Sequence, residues 1–157
     1  MKFFPMLFTI LLSAKGFGFG APDLLPASER AKAFVVTTKL DKKKSFQKIS
    51  VWAAKTFANS NETIKLRDSD MGVIIAKGVI DCKALKLGNG YGQNQKLSFT
   101  LEVAAANKKT DVKFNEILAI DDGSFDNGSR PSKKEELETV SKECLEPYVE
   151  LIKKELI

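Results

Sequence analysis

The period of hydrophobic and polar positions changes several times along the chain, and each change marks an element. Residues 34–40, FVVTTKL, are rich in β-branched side chains and predict a strand. Over 46–58 the period lengthens: Phe46, Ile49, Trp52, Ala53 and Phe57 recur at spacings of three and four and line one face of a helix. The charged turn DKKKS (41–45) leads into it, with Ser45 in the N-cap position, and NSNE (59–62) ends it. Phe46, Trp52 and Phe57 could stack on a ligand, but helical spacing assigns them to the core.

Strand-like alternation then takes over. Ile64 and Leu66 alternate with Lys65 and Arg67, and DSDMG (68–72) reverses the chain. From 73 to about 85 runs the longest strand, with Ile74, Ala76, Gly78, Ile80 and Cys82 on one face. KLSFTLEV (96–103) points Leu97, Phe99, Leu101 and Val103 inward, and NKKT (107–110) is a turn. The last strand, about 111–120, points Val112 and Phe114 inward, but Glu116 then falls in the inward phase and Ile117 in the outward one. A bulge would resolve that conflict.

The loop DDGSFDNGSRP (121–131) precedes a C-terminal helix. Ser132 and Glu135 form a capping box, and Leu137, Val140, Cys144, Tyr148 and Leu151 or Ile152 make the apolar stripe. Pro147 removes an interior hydrogen bond, so a kink or break is expected there. The order β-α-β-β-β-β-α with short connections predicts an α+β domain: a five-stranded antiparallel sheet, two helices packed on one face and the other face at least partly open.

Composition adds an address to this fold. MKFFPMLFTILLSAKGFGFGAPD has a basic start, an apolar run over 3–14 and small residues at Gly16, Gly18, Gly20 and Ala21, the layout of a secretory signal peptide. The apolar run is shorter than the ~20 residues that a membrane span needs. Cleavage after Gly20 leaves Gly18 and Gly20 at the recognition positions, and no cysteine follows for a lipid anchor. The expected organisation is signal peptide 1–20, lead-in segment 21–32 and one α+β domain over 33–157, exported to the periplasm or the medium. The remaining chain has 157 − 20 = 137 residues and, without Lys2 and Lys15, a formal charge of 5 − 2 = +3. That excess favours anionic partners but is too small to establish nucleic-acid binding.

Candidate chemistry is sparse. The chain has no histidine, the commonest general base and metal ligand, so catalysis would have to use carboxylates or lysines. LGNGYGQNQK (87–96) looks like a phosphate cradle, but a strand follows it where a dinucleotide fingerprint needs a helix, and no Gly-Lys-Ser/Thr follows. It reads as a hairpin connection. Asp121, Asp122, Asp126 and Asn127 are calcium-type ligands, yet neither Gly123 nor Gly128 fits the EF-hand register. Asp68 and Asp70 suit a turn better than a carboxylate pair. No catalytic residue, cofactor or metal site is assigned.

AFVVTTKL (33–40), FQKISVWAAKTF (46–57), DSDMGVIIAKGVI (68–80) and VKFNEILAID (112–121) together resemble the exported bacterial domains of unknown function with a TATA-binding-protein-like fold. The likeness spans about 33–120, including Gly72, Ile74 and Gly78 of the strand motif. It implies the fold and an exported bacterial setting and carries no activity, site residue or DNA binding.

Two features leave alternatives open in the sequence. Cys82 on the long strand and Cys144 on the last helix either pair in an oxidising compartment or stay as two buried thiols. Strand parity puts Thr37, Lys39, Lys65, Arg67, Lys77, Asp81, Lys83, Ser98, Thr100, Glu102, Lys113 and Asn115 on the open sheet face, a charge of 6 − 2 = +4, with Val35, Val73, Ile75 and Val79 among them. Such a face is either a contact surface for an acidic protein or an anionic envelope component, or a solvated face whose lysines discourage edge pairing. Two function classes follow: a non-catalytic binding or structural module of the cell envelope, and a small carboxylate-dependent envelope hydrolase.

Overall fold

The computed structural model describes residues 25–57, 63–83, 95–121, 129–131 and 134–157. Strand β1 (Lys32–Thr37) and helix α1 (Lys42–Thr56) come first, followed by β2 (Ile64–Asp68), β3 (Val73–Asp81), β4 (Gln95–Ala106) and β5 (Lys109–Asp121). A short strand β6 (Ser129–Pro131) precedes a C-terminal helical segment: α2 (Lys134–Val140), a π-helical turn (Ser141–Leu145) and α3 (Glu146–Leu156). The five expected strands pair antiparallel in the order β1-β5-β4-β3-β2. β6, which the alternation does not foretell, pairs with Leu118, Ala119 and Ile120 of β5 beyond the reach of β1 and so extends the same edge.

Both helical segments bury their stripes against one face of this sheet. Ile49, Trp52 and Ala53 of α1 and Val149, Ile152 and Leu156 of α3 share a core with Ile74, Leu97, Phe99, Leu101, Val103, Val112 and Phe114. Rings meet edge-to-face in a continuous series, Phe34–Phe114–Phe99–Tyr148–Trp52–Phe57, with centroids 5.1–6.4 Å apart. Such pairs add about 0.5–1.5 kcal/mol each beyond burial. Gly78 makes room for this series, since a Cβ there would lie 2.6 Å from the Phe99 ring.

Three local expectations are revised and one, the bulge in β5, is met, each for a physical reason. The first helix begins four residues before the apolar stripe, and its N-cap is Asp41, whose carboxylate accepts the Lys44 N–H at 2.8 Å. Ser45, expected at that cap, lies inside the helix, buried, with no partner for its hydroxyl. An aspartate three residues ahead of a free N–H takes the cap regardless of where the apolar face starts.

In β5 the bulge is present. Ser98 pairs with Leu118 and Thr100 with Asn115, so β5 holds one extra residue, and Glu116 takes a φ of 52°. The extra residue turns Ile117 fully inward, where its N–H donates to the Arg30 carbonyl, and sends Glu116 outward.

A second bulge lies in β2, where the alternation shows none. Ile64 pairs with Ala76 and Leu66 with Ile75. Directly opposed residues share a face, so beyond Lys65 the parity inverts: Leu66, expected inward, stands on the open face, and Arg67, expected there, lies opposite Ile74 on the helix side.

At Pro147 the helix neither breaks nor ends. The Glu146 N–H reaches back to the Ser141 carbonyl, a π turn that opens the helix by one residue just ahead of the proline, whose ring would otherwise clash with a carbonyl one turn back and whose missing N–H cannot bond to it. The wider turn shifts the buried stripe onto Cys144, Leu145, Val149 and Ile152, leaving Leu151 exposed. Among the described residues, no helix is long and apolar enough to cross a membrane. The proposed signal peptide, the glycine-rich connection over 87–94, the NSNE helix end, the Asp122–Gly128 part of the acidic loop and the Ser132 cap lie outside the described residues.

Candidate functional site

The open sheet face is built by register. One row across the sheet reads Ala33, Lys113, Glu102, Ile75 and Leu66; another reads Val35, Asp111, Ala104 and Val73. Lys77 stands opposite Thr100, which stands opposite Asn115, and Val79 pairs with Ser98, which pairs with Leu118. The Thr100 hydroxyl donates to Glu116 Oε2 at 2.8 Å, tying the β5 bulge to β4 on this side. Val35 is 67% exposed, Val79 58% and Leu66 38%. Apolar side chains thus stand in water among charged ones on one face of the sheet.

Of the residues expected on this face, Lys77, Thr100 and Lys113 share it, with Thr37, Asp81, Ser98, Glu102 and Asn115. Four do not. Lys39 follows β1 in the loop to α1, Lys83 lies past the end of β3, Lys65 occupies the bulge, and Arg67 is on the other side. The face also carries Asp111, which shares the parity of Lys113, and gains Glu116 through the β5 bulge. By register and the Thr100 bond, Lys77, Lys96, Lys109 and Lys113 share the face with Asp68, Asp81, Glu102, Asp111 and Glu116, four cations against five acids. The basic face of +4 is therefore corrected to one of nearly balanced charge, because two bulges and two strand ends remove four of its cations and add Glu116, and because the register also brings in Asp68 and Asp111 beside Lys96 and Lys109.

The positive excess sits instead at the end of the domain where α1 begins. Lys42, Lys43 and Lys44 occupy its first turn, with no acid there. Three turns are stitched together around them. The Lys42 N–H donates to Asn107 Oδ1 at 3.1 Å, Lys42 Nζ to the Asp70 carbonyl at 2.5 Å, and the Lys108 N–H to the Leu40 carbonyl at 3.0 Å. An open cleft of about 800 Å³ lies between Lys42, Lys43, Gln47, Ser69 and Asp70, and a neighbouring one of about 450 Å³ between Lys39, Lys44 and Lys108. In the sequence DKKK reads as a turn. Recognising Asp41 as the cap would have placed its lysines on the helix.

The other sequence candidates have structural roles. The Asp68 carboxylate accepts the Met71 N–H at 2.8 Å and holds the β2–β3 turn. Trp52, Phe46 and Phe57 are core. Tyr148 packs between Trp52 and Phe99, and burial raises its phenol above the ordinary 10.0. Cys82 and Cys144 are joined in a disulfide, their Cα atoms 5.7 Å apart, between the end of β3 and the π turn. No group of three or more potential metal-ligating side chains occurs among the described residues.

Comparison with known proteins adds to this geometry. Residues 35–118 match the family model described as a domain of unknown function (DUF4468) with TBP-like fold. A crystal structure of a TBP-like protein from Parabacteroides distasonis superposes with a TM-score of 0.61 at 10% identity, covering 80% of this chain and 91% of that one. A DUF4468 family protein from Bacteroides ovatus gives 0.56 at 8% identity, covering 82% and 88%. At such identity the likeness is one of fold. No curated protein matches the sequence.

Proposed function

The chain belongs to the DUF4468 family, domains of unknown function with a TBP-like fold, and from that fold we infer an exported, non-catalytic binding module that works through the bare face of its sheet. One observation carries the reading. Every described helix longer than a single turn packs on one side, and the other side keeps Val35 and Val79 more than half exposed between charged neighbours. Exposed apolar ground rimmed by charge is the composition of a protein contact surface. The balance of lysines and carboxylates favours a partner surface that is itself mixed, rather than a strongly acidic one. Export is supported by the signal-like layout of residues 1–20 and by the Cys82–Cys144 bond, a feature of oxidising compartments. The hydrolase alternative would need convergent carboxylates, and Asp68 is engaged in its turn.

The test is capture of a partner from envelope extract by the chain starting at Ala21, compared with Val35→Asp/Val79→Asp and with Val51→Asp on the outer surface of α1. The reading expects the sheet-face pair to lose the partner and the helix variant to keep it, with all three proteins folded. Retention by the sheet-face pair would remove this face as the contact surface.

A further inference from the structure

We propose that the lysine-rich end of the domain docks on an anionic membrane surface, a second contact independent of the open sheet face. The residues lining the two clefts there carry Lys39, Lys42, Lys43, Lys44 and Lys108 against Asp41 and Asp70, or 5 − 2 = +3. That equals the formal charge of the chain beyond residue 20, so the rest of the molecule is neutral in sum. Lys42 ties the β2–β3 turn through its bond to the Asp70 carbonyl, but the helix gains nothing from the clustering of the others. Three of the lysines stand in the first turn of α1, where the helix dipole is already positive and acids are the favoured residues. Asp41 is engaged at the cap and lies 3.8 Å from the Lys44 ammonium, so it offsets little of the field of the others.

Beside the lysines stands an apolar tip. Met71 is 58% exposed in the β2–β3 turn whose Ser69 and Asp70 line the larger cleft. Lysines with long alkyl stems beside a turn that bears an exposed thioether match the headgroup and upper acyl layers of an anionic bilayer, where basic residues supply attraction and an apolar side chain enters the interface. Both clefts are open troughs, which suits a surface better than an enclosed small ligand. A single-stranded nucleic acid would call for exposed rings to stack its bases. Among the described residues the exposed large apolar side chains are aliphatic or methionine.

The experiment is co-sedimentation of the chain starting at Ala21, which keeps every described residue, with vesicles of phosphatidylcholine alone or mixed with phosphatidylglycerol. The wild type is expected to bind the mixed vesicles, salt-sensitively, and not the neutral ones. Lys39→Glu/Lys43→Glu/Lys44→Glu should lower partitioning roughly 100-fold or more. It should stay folded by circular dichroism, since glutamates suit the first turn. Met71→Asp should lower partitioning about tenfold, and Lys77→Glu/Lys113→Glu on the open face should leave it unchanged. Equal binding to both vesicle types, an unaffected triple variant, or an equal loss in the open-face pair would overturn the proposal. So would displacement from vesicles by dilute inorganic phosphate, which would indicate a free-phosphate site. Lysine-dependent binding to duplex DNA without vesicle binding would assign the patch to nucleic acid instead.

Discussion

At the scale of single residues, the sequence misleads where one side chain decides the geometry of its neighbours. Asp41 and Ser45 are both good caps by composition, and only Asp41 has a free N–H within reach. The two positions therefore have opposite expected costs. Asp41→Ala should destabilise by about 1 kcal/mol, the usual worth of an N-cap. Ser45→Ala should be neutral or slightly stabilising, because it removes a buried hydroxyl without a partner. Urea denaturation midpoints of the two variants check this, and a larger loss at Ser45 than at Asp41 would contradict the cap assignment. The bulge at Lys65 teaches the same lesson in a strand. Two residues of alternation cannot reveal an inserted one, so Leu66 and Arg67 read on the wrong faces, whereas Glu116 and Ile117 gave themselves away because the longer β5 pattern changes phase in mid-strand.

Among the elements, the three long strands and α1 were legible because each carries enough periodic positions to fix a face. The C-terminal helix was legible as a stripe but not in its winding. Pro147 announces a disturbance, and only the structure shows it absorbed by a π turn that also presents Cys144 to the end of β3. The resulting crosslink joins positions 62 residues apart. In the chain-entropy model, closing such a loop contributes about 4 kcal/mol. Cys82→Ala/Cys144→Ala is expected to lower the unfolding free energy by about that amount, measured by urea denaturation beside the oxidised wild type. Identical midpoints for the two, with free thiols titrating in the wild type, would mean that the bond does not form. The three-residue β6 carries too few positions to show any period, which is why the alternation passes over it.

For the whole molecule, the α+β class, the strand count of the main sheet and the one-sided helix layer all follow from alternation, because an amphipathic helix must find an apolar face and the sheet offers one. The candidate surface was legible in its apolar members and not in its charge. Val35, Val73, Ile75 and Val79 stand where parity puts them, whereas the net charge depended on strand ends and bulges that parity does not see. Export is an expectation at this same scale: mass spectrometry of protein recovered from the envelope should find Ala21 as the N-terminus, and an intact Met1 on cytoplasmic protein would contradict it. The central claim is that the bare sheet face, and not the helix layer, meets the partner. Its most direct test is a photo-crosslinking amino acid placed at Val79 and, separately, at Val51, both exposed and on opposite sides of the molecule. Irradiated in intact cells, the Val79 protein is predicted to form a discrete adduct and the Val51 protein none; adducts at Val51 alone, or equal adducts at both, would contradict the account.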